Sequence, residues 1–303
     1  MARSLTPSER IERSILIDQP ETGFRKTIWK PFIAAIKQYD LIQPGDKIAV
    51  CISGGKDSVL LAKLFQILHR HTAIPFELEF IVMDPGYNPI NRQKIIDNAA
   101  LLEIPIRIFD SDIFDAAASA ERNPCYLCAR MRRGFLYDRA QELGCNKIAL
   151  GHHFNDVIET TLIGMFYGSQ LQAMLPKLHA RNFPGMELIR PMYMIHEDAI
   201  KAWCQVNGLT FIQCACRFVE QRDNALDGVG DSKRQEIKVL LRSLRERDPD
   251  IEKSIFNSIH TVTLDTFPGW KVHGKSFSYL EDYDRWPDTF AGLTGGGGDT
   301  PTP

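Results

Sequence analysis

No stretch of this sequence approaches the roughly 20 consecutive apolar residues that span a bilayer. The first residues, MARSLTPSERIERS, also lack the apolar core of a secretory signal. We therefore expect a cytoplasmic protein with no membrane partner. The chain has 7 cysteines, an odd number at uneven spacing. This pattern argues against a disulfide framework and favours metal binding or redox chemistry.

The chain has no excess of charge of either sign, since 36 Lys and Arg stand against 38 Asp and Glu. The total therefore says little about partners, because a local basic patch can lie within a nearly neutral chain. The composition is 44% hydrophobic and 24% charged, which excludes a chain that is disordered throughout. At 303 residues the sequence can form one large domain with appendages, and it contains no internal repeat.

Apolar runs alternate with segments of helical periodicity from residue 47 to residue 213, which predicts an α/β fold with a doubly wound, mostly parallel sheet. The expected strands are KIAVCIS, ELEFIVMD, IPIRIFD, KIALGH and a weaker LTFIQ. The helices expected between them cover residues 57–71, 89–102, 126–143, 155–167 and 196–207.

The regions on either side of this alternating pattern have a different character. We predict four segments, with a helix at 24–39 in the first and a charged helix at 232–247 in the third. The final GGGGDTPTP has no means of burying surface and is expected to be disordered or derived from cloning. The segments are an N-terminal helical extension at 1–46, the sheet domain at 47–217, C-terminal helices packed on the core at 218–270 and a tail at 271–303.

The first expected strand runs into the loop Ser53-Gly54-Gly55-Lys56-Asp57-Ser58 and then into an apolar helix. Two glycines let the backbone turn sharply and present N–H groups to an anion, and the helix N-terminus adds partial positive charge. The two serines add hydroxyl donors and Lys56 can neutralise a phosphate oxygen. The loop is not a Walker A motif, and no G-x-G-x-x-G follows any expected strand. A Gly-Gly turn with a solvated Lys-Asp pair is the alternative.

A second glycine turn, from Gly151 to Asp156 (GHHFND), follows the fourth expected strand. Carboxyl ends of parallel strands meet at one edge of a sheet, so we expect this turn to face the first loop. His152 and His153 would donate to phosphate, and Asp156 would hold magnesium or orient a base, unless it caps the following helix. Asp84 ends the second strand and would contact nucleotide or magnesium, or form a turn before Pro-Gly.

Two cysteine pairs stand out. Cys125 and Cys128 form a C-x-x-C at the start of a helix, where backbone N–H groups and the helix dipole favour thiolates. Cys214 and Cys216 form a C-x-C after the last expected strand. A structural zinc site and a thioredoxin-like redox pair are alternatives. The other cysteines lie in apolar contexts and are expected in the core: Cys51, Cys145 and Cys204.

SGGKDS resembles the pyrophosphate loop of the N-type ATP pyrophosphatases, also called the PP-loop superfamily, and GHHFND resembles the second motif of that family. The C-x-x-C is followed by the basic run ARMRRGFLYDRA, then by IRPM and a later cysteine. This order is similar to that of the tRNA 2-thiocytidine synthetase group, over about residues 25–265. The resemblance implies an adenine nucleotide α-hydrolase-like fold with extra N- and C-terminal helices.

The resemblance also implies an activity: an ATP-dependent tRNA thiolase that adenylates a cytidine C2 carbonyl in the anticodon loop and replaces the oxygen with sulphur. Its cofactors would be ATP, Mg²⁺ and a [4Fe-4S] cluster. Its partners would be tRNA, a cysteine desulfurase or other sulphur donor, and a second copy of the chain.

The resemblance assigns roles to residues of this sequence. The nucleotide would be bound by Ser53, Gly54, Gly55, Lys56, Asp57, Ser58, Asp84, Gly151 and His152. Catalysis would rest on Lys56, Asp57 and Asp156. The cluster would be held by Cys125, Cys128 and Cys214, leaving one iron without a protein ligand. The choice between Cys214 and Cys216 stays open, because this chain has C-A-C where the group has C-x-x-C.

Basic and aromatic residues near this edge are candidates for contacts with RNA. They are Arg130, Arg132, Arg133, Arg139, Lys177, His179, Arg181, Tyr126, Phe154 and Tyr167. The charged helix at 232–247 is expected to be a solvated face. Competing functions are a related enzyme acting on another base or acceptor, of the thiouridine or lysidine type, and a non-catalytic metal-cysteine protein that binds RNA or senses redox state.

Overall fold

A computed structural model describes residues 4–114, 124–212, 229–281 and 283 of the chain. The chain divides into two compact units, Met1–Pro249 and Asp250–Pro303. In the described part, no helix combines the length and the apolar character needed to cross a membrane. The division into four segments inferred from the sequence remains a prediction.

The chain begins with a helix that the sequence analysis missed, α1 (Pro7–Leu16). Thr6 and Glu9 form a capping box, since the Thr6 hydroxyl accepts from the Glu9 N–H at 3.1 Å and the Thr6 N–H donates to Glu9 at 2.7 Å. The buried ammonium of Lys63 donates to the Ser8 hydroxyl at 2.8 Å and so ties α1 to the domain. A π-helical turn (Arg25–Trp29) then leads into α2 (Lys30–Gln38), where a helix was predicted.

The first unit contains six strands and six further helices, counted over the described ranges. The strands are β1 (Lys47–Ile52), β2 (Glu77–Asp84), β3 (Ile106–Asp110), β4 (Lys147–Ala149), β5 (Lys177–His179) and β6 (Glu187–Ile189). The helices are α3 (Lys56–His71), α4 (Pro89–Leu101), α5 (Pro124–Glu142), α6 (Phe154–Gly168), α7 (Glu197–Val206) and α8 (Val229–Arg247).

These strands form one sheet in the order β3-β2-β1-β4-β6-β5, in which only β5 is antiparallel. The order reverses direction between β1 and β4, so the crevice at the carboxyl ends of these two strands is where such a fold binds ligands. The predicted doubly wound, mostly parallel sheet is confirmed.

Strand β1 lies at the centre of the sheet and is buried on both faces. Ile48, Val50 and Ile52 belong to one apolar cluster, whereas Ala49 and Cys51 belong to the cluster on the opposite face. A strand covered on both sides must be apolar at nearly every position, which is why KIAVCIS is a continuous apolar run. This strand holds the loop that follows it in a fixed position.

The expected strand LTFIQ is wrong over its described residues, 209–212, which form no strand. Its backbone is hydrogen-bonded to a helix instead, since the Asn98 side-chain amide of α4 donates to the Thr210 carbonyl at 3.0 Å. The place beside β4 is taken by β6, which pairs in parallel with it and in antiparallel with β5. Both of these strands have only three residues, too few to show a periodic pattern.

The second unit contains a short helix, α9 (Ile251–Ser258), and a hairpin of β7 (Gly269–Val272) and β8 (Lys275–Ser278). The rings of Trp270 and Phe277 stack across the hairpin with centroids 6.0 Å apart. The described part of the predicted tail therefore includes regular structure. The GGGGDTPTP end lies outside the described residues.

Candidate active site

A cavity of about 590 Å³ opens at the carboxyl edge of the sheet, with β1, β2 and β6 contributing to its wall. It combines the loop after β1, the turn after β4 and two arginines of α5. Its lining comprises Cys51, Ile52, Ser53, Asp57, Ser58, Met83, Arg132, Arg133, Leu136, Leu150, Gly151, His152, Asp156, Met174, Leu188 and Arg190.

The loop after β1 is shaped to receive an anion. Gly54 has φ +81, and a Cβ at this position would come within 2.6 Å of Ile95 and 2.7 Å of Ile212. The Ser58 hydroxyl accepts from the Ser53 N–H at 3.1 Å and donates to the Gly55 carbonyl at 3.0 Å. The N-cap residue of α3 is Gly55, which has no side chain with which to cap the helix. The N–H groups of its first turn are therefore available to phosphate oxygens.

Lys56 is held between two carboxylates. Its ammonium lies 3.0 Å from Asp57 Oδ2 and 3.1 Å from Glu197 Oε1. Burial opposes its charge, but Asp57 and Glu197 raise the pKa of Lys56 above its ordinary value. Burial likewise opposes ionisation of Glu197, yet Lys201 and Lys56 lower its pKa to about 2. Glu197, at the start of α7, escaped the sequence analysis because only the fold brings it to the loop.

The turn after β4 touches the loop after β1, as the sequence analysis expected. A Cβ on Gly151 would lie 3.0 Å from the Asp57 carbonyl carbon and 3.1 Å from the Ser58 nitrogen, so any other residue would require the two turns to shift by a few tenths of an ångström. The buried His153 lies between the two turns, with Nε2 3.8 Å from Asp57 Oδ1 and 3.5 Å from Asp156 Oδ2.

Asp57 and Asp156 are the candidate magnesium ligands. Both line the cavity, and Asp57 Oδ1 is buried without a hydrogen-bond partner among the described residues. Within the described ranges, no three His, Cys, Asp or Glu side chains are grouped so that they alone could hold a metal ion. Mg²⁺ suits such a site, because it is usually bound by one or two carboxylates together with substrate phosphates and water.

His152 faces the same cavity as a neutral imidazole. Burial and the nearby Arg190 lower the pKa of His152 to about 4. Its Nδ1 is buried and has no hydrogen-bond partner in the described part of the chain. At neutral pH this side chain can therefore contribute a hydrogen bond to a ligand but no charge.

Helix α8 packs against α6 and supplies a residue that the sequence analysis treated as part of a solvated face. Arg234 lies 3.1 Å from Asp156 Oδ1 and 3.1 Å from Glu159 Oε2. Burial raises the pKa of Glu159 to about 6, against the opposing effect of Lys238 and Arg234. Arg234 thus orients the Asp156 carboxylate. The alternating charges of this helix do not distinguish an arginine with this role from an arginine that faces solvent.

Asp84 does not line the cavity. Its Oδ1 accepts from the N–H groups of Gly86 at 2.9 Å and Tyr87 at 2.7 Å, and its Oδ2 accepts from Arg92 at 2.5 Å. Its carboxylate is thus occupied by the turn after β2. Of the two roles expected from the sequence, the structure supports that of turn former.

The described part of the cysteine motif lies close to the phosphate loop. Cys128 is buried in α5. Burial raises the pKa of Tyr87, and Cys128 is near enough to raise it further, while the Tyr87 hydroxyl donates to the Ser53 carbonyl at 3.3 Å. The Cys125 side chain, Cys214 and Cys216 lie outside the described residues.

The remaining cysteines behave as core residues. Cys51, Cys145 and Cys204 are buried and form no disulfide. Burial raises the pKa of both Cys145 and Cys204 to about 11, and it raises the pKa of Cys51 further. These thiols stay protonated at neutral pH and are poor metal ligands.

The candidate RNA contacts fall into two sets. Arg132 and Arg133 line the cavity. Others have structural partners: Arg139 pairs with Glu142 at 2.5 Å, and the buried Phe154 stacks on an imidazole with centroids 4.0 Å apart. The exposed Tyr167 donates to a carboxylate of α8 at 2.5 Å.

Comparison with known proteins agrees with this geometry. Residues 28–216 match the protein family described as PP-loop domain. The tRNA-cytidine(32) 2-sulfurtransferase of Syntrophotalea carbinolica is 37% identical over 243 residues, which cover 75% of this chain and 86% of the relative. That of Alkalilimnicola ehrlichii is 34% identical over 231 residues, 75% of this chain and 70% of the relative.

Among solved structures, the U34-tRNA thiolase NcsA from Methanococcus maripaludis, with its [4Fe-4S] cluster, shares the fold. The TM-score is 0.61 at 20% sequence identity, over 81% of this chain and 82% of that chain.

A glycine loop between a central strand and a helix, at the switch point of a parallel sheet, defines an α/β nucleotide-binding enzyme. The family match and the curated relatives make the assignment specific. The chain belongs to the PP-loop family, in the group of the tRNA-cytidine(32) 2-sulfurtransferases. The resemblance inferred from the motifs is confirmed.

Proposed function

We propose that this protein is an ATP-dependent tRNA sulfurtransferase that converts a cytidine of the anticodon loop to 2-thiocytidine. It transfers AMP to the C2 carbonyl oxygen of the base and then replaces that oxygen with sulphur. The observation that carries this proposal is the shared cavity, in which the phosphate loop, two candidate magnesium ligands and the arginines of the cysteine-bearing helix line one space.

The protein's own residues account for the adenylation. Lys56 and the N–H groups of the α3 N-terminus bind the ATP phosphates, and the neutral His152 adds a hydrogen bond. Asp57 and Asp156 hold Mg²⁺ against the phosphates. The cytidine O2 attacks the α-phosphate, the bond to the β-phosphate breaks and pyrophosphate leaves. The protein contributes by positioning the two reactants and by neutralising charge.

The cysteines account for the sulphur. Cys125, Cys128 and Cys214 would hold a [4Fe-4S] cluster, for which thiolates are the fitting ligands. Two observations support this location. Cys128 belongs to the same buried cluster as Tyr87, which bonds the loop, and Ile212, two residues before Cys214 in the sequence, packs against Gly54. When bound, the cluster would supply an iron without a protein ligand that can carry sulphur.

The partners and location follow from this activity. The substrate is tRNA, and a cysteine desulfurase or another donor replenishes the sulphur. We also propose that the protein acts in the cytoplasm as a homodimer.

One preparation tests the function. Protein purified without oxygen is incubated with ATP, a sulphide source and anticodon stem–loop RNA, and thiolated nucleosides, AMP and pyrophosphate are measured. We expect 2-thiocytidine, with one AMP released per thiolated base. Thiolated uridine instead of 2-thiocytidine would indicate a related enzyme that acts on another base. Lysine-dependent modification would point to the lysidine type.

Iron and sulphide content tests the cluster and its third ligand, with Cys214→Ala and Cys216→Ala as matched variants. We expect about four irons per chain in the wild type. Cys214→Ala should lose them and Cys216→Ala should keep them. Zinc in place of iron, or a cluster that survives both substitutions, would rule out this ligand set.

A further inference from the structure

We propose that the cavity contains a second oxyanion-binding position, centred on Arg190 of the IRPM motif and distinct from the phosphate loop. The ligand group that binds at this position is a phosphate oxygen. The inference rests on the proposed function, because that function places both ATP and RNA in this cavity.

Arg190 lies at the same edge of the sheet as the loop but at some distance from it. It directly follows β6, and β4 separates β6 from β1. Two strand spacings place the backbone of Arg190 about 10 Å from that of the loop. The arginine therefore enters the cavity from a different strand than the phosphate loop does.

The backbone around Arg190 fixes its position. Its N–H donates to the Pro176 carbonyl at 2.9 Å, and its guanidinium donates through one Nη to the Leu175 carbonyl. Both acceptors precede β5, so the β5–β6 hairpin holds the base and one arm of the side chain. The Arg190 side chain, held in this way, lines the cavity.

Arg190 has donors that nothing in the described residues satisfies. Its Nε is buried without a hydrogen-bond partner, and Nδ1 of His152, which lines the same cavity, has none either. Among the described residues, no carboxylate forms an ion pair with this guanidinium. Buried polar groups are nearly always satisfied, so unsatisfied nitrogens on two side chains that line one cavity indicate that a polar partner binds there.

The charge around Arg190 shows that this ligand is an anion. Burial and, to a smaller extent, the nearby Arg133 lower the pKa of Arg190 to about 10, so the side chain stays protonated at neutral pH. Asp156, the carboxylate that acts on it, is already bonded by Arg234 and the His153 N–H. A planar cation with unused donors matches the oxygens of a phosphate group.

Two sources can supply this phosphate oxygen. One is the backbone of the target nucleotide, whose phosphate lies one ribose away from the base that must reach the loop. The other is ATP, if its phosphates extend along the cavity from the loop. The two sources share their chemistry and differ in which ligand Arg190 helps to bind.

Binding measurements on the full-length protein test the site. The variants are Arg190→Gln, which removes the charge, and Arg190→Lys, which keeps the charge but lacks the planar guanidinium that can donate two parallel hydrogen bonds. Arg10→Gln is the matched control, since Arg10 is exposed on α1 outside the cavity. The two probes are a non-hydrolysable ATP analogue and an anticodon stem–loop RNA, each titrated by calorimetry, and thermal melting of every variant verifies folding.

We expect Arg190→Gln to weaken one of the two ligands at least 10-fold, Arg190→Lys to weaken the same ligand less, and Arg10→Gln to change neither by more than twofold. If the source is RNA, the dependence of log K on log salt also becomes shallower by about 0.7 to 0.9. If the source is ATP, the analogue is the ligand affected.

Unchanged affinities for both probes in Arg190→Gln and Arg190→Lys, with a wild type that binds both, would overturn the site and leave the proposed function intact. Should Arg190→Gln fail to fold, Arg190→Lys alone decides, and wild-type affinity for both probes would again overturn the site. A wild type that binds neither probe would remove the proposed function together with the site.

Discussion

The two glycine turns at the carboxyl edge of the sheet differ in how their polar groups are paired. In the loop after β1, Lys56 has two carboxylate partners and the Ser53 and Ser58 hydroxyls lie 3.2 Å apart, in hydrogen-bond contact, and among the described residues only Asp57 Oδ1 of this loop is buried without a partner. In the turn after β4, Nδ1 of both His152 and His153 is buried without a partner among the described residues.

This difference indicates that the two turns differ in how far they are preorganised for a ligand. The first loop is held in its shape by its own contacts before any ligand arrives, which lowers the cost of reorganisation on binding. The second turn has donors and acceptors that only a ligand or water can satisfy. The predictions below test whether the first loop depends on those contacts and whether the two turns depend on each other.

The largest effect is expected at the ammonium of the first loop. Lys56→Ala removes the ammonium that we propose binds the nucleotide phosphates, so ATP-dependent thiolation should fall about 10² to 10³-fold. Single-turnover thiolation assays measure this loss. Lys37→Ala, at an exposed site on α2, is the control and should keep wild-type activity. A Lys56→Ala variant with more than a tenth of the wild-type rate would contradict the role.

The contact between the turns is tested by Gly151→Ala. The added methyl meets the backbone of Asp57 and Ser58 at 3.0 to 3.1 Å, so the turns must move apart. We expect the free energy of unfolding to drop by about 1 to 3 kcal/mol, and ATP affinity to fall with it.

The matched control for this prediction is Gly134→Ala in the interior of α5, where an added Cβ meets nothing within 4 Å. Alanine there should stabilise the protein by about 0.5 to 1 kcal/mol. Urea unfolding compares the two variants. If Gly151→Ala also raised stability, the close approach of the turns would not be real.

A smaller effect is expected at Glu197, which holds Lys56 from the opposite side. Its pKa is lowered from 4.5 to about 2, so its stabilising contribution is present above pH 4.5 and is lost as the pH falls towards 2. Glu197→Gln should therefore cost about 1 to 2 kcal/mol at pH 7 and nearly nothing at the acid end. It should also weaken ATP binding, because Lys56 loses a partner.

Urea unfolding at pH 7, 4.5 and 3.5 checks this sign. The exposed Glu246→Gln on α8 is the control and should show no such pH dependence. A difference between Glu197→Gln and the wild type that grew as the pH fell would show that the pKa shift has the opposite sign.

The smallest effect on nucleotide binding is expected for Asp84→Asn. Asparagine keeps an oxygen for the turn but loses the charge that pairs with Arg92, so we expect a loss of about 1 kcal/mol in stability. The affinity for an ATP analogue should stay within twofold of the wild type. A tenfold loss of affinity at unchanged stability would show that Asp84 contributes to nucleotide binding.

The sequence by itself determined the two glycine turns, the parallel sheet that presents them and the family. These signals are local: glycines at a tight turn, an apolar run where a strand is buried on both faces, and helical periodicity between the strands. Asp57, Gly151 and His152 could be assigned to one edge from the rule that parallel strands end together.

Only the tertiary structure decided which groups complete that edge. Glu197 and Arg234 lie in helices and Arg190 directly follows a short strand, all far along the chain. Each reaches the cavity or its loop because of how that helix or strand packs. The same holds for LTFIQ, whose first four residues have the composition of a strand but lie against α4, where Asn98 bonds the Thr210 carbonyl. Contacts with residues far away in the sequence can outweigh the local β propensity of a segment. A short stretch of sequence contains only the local signal, so it does not show which of the two prevails.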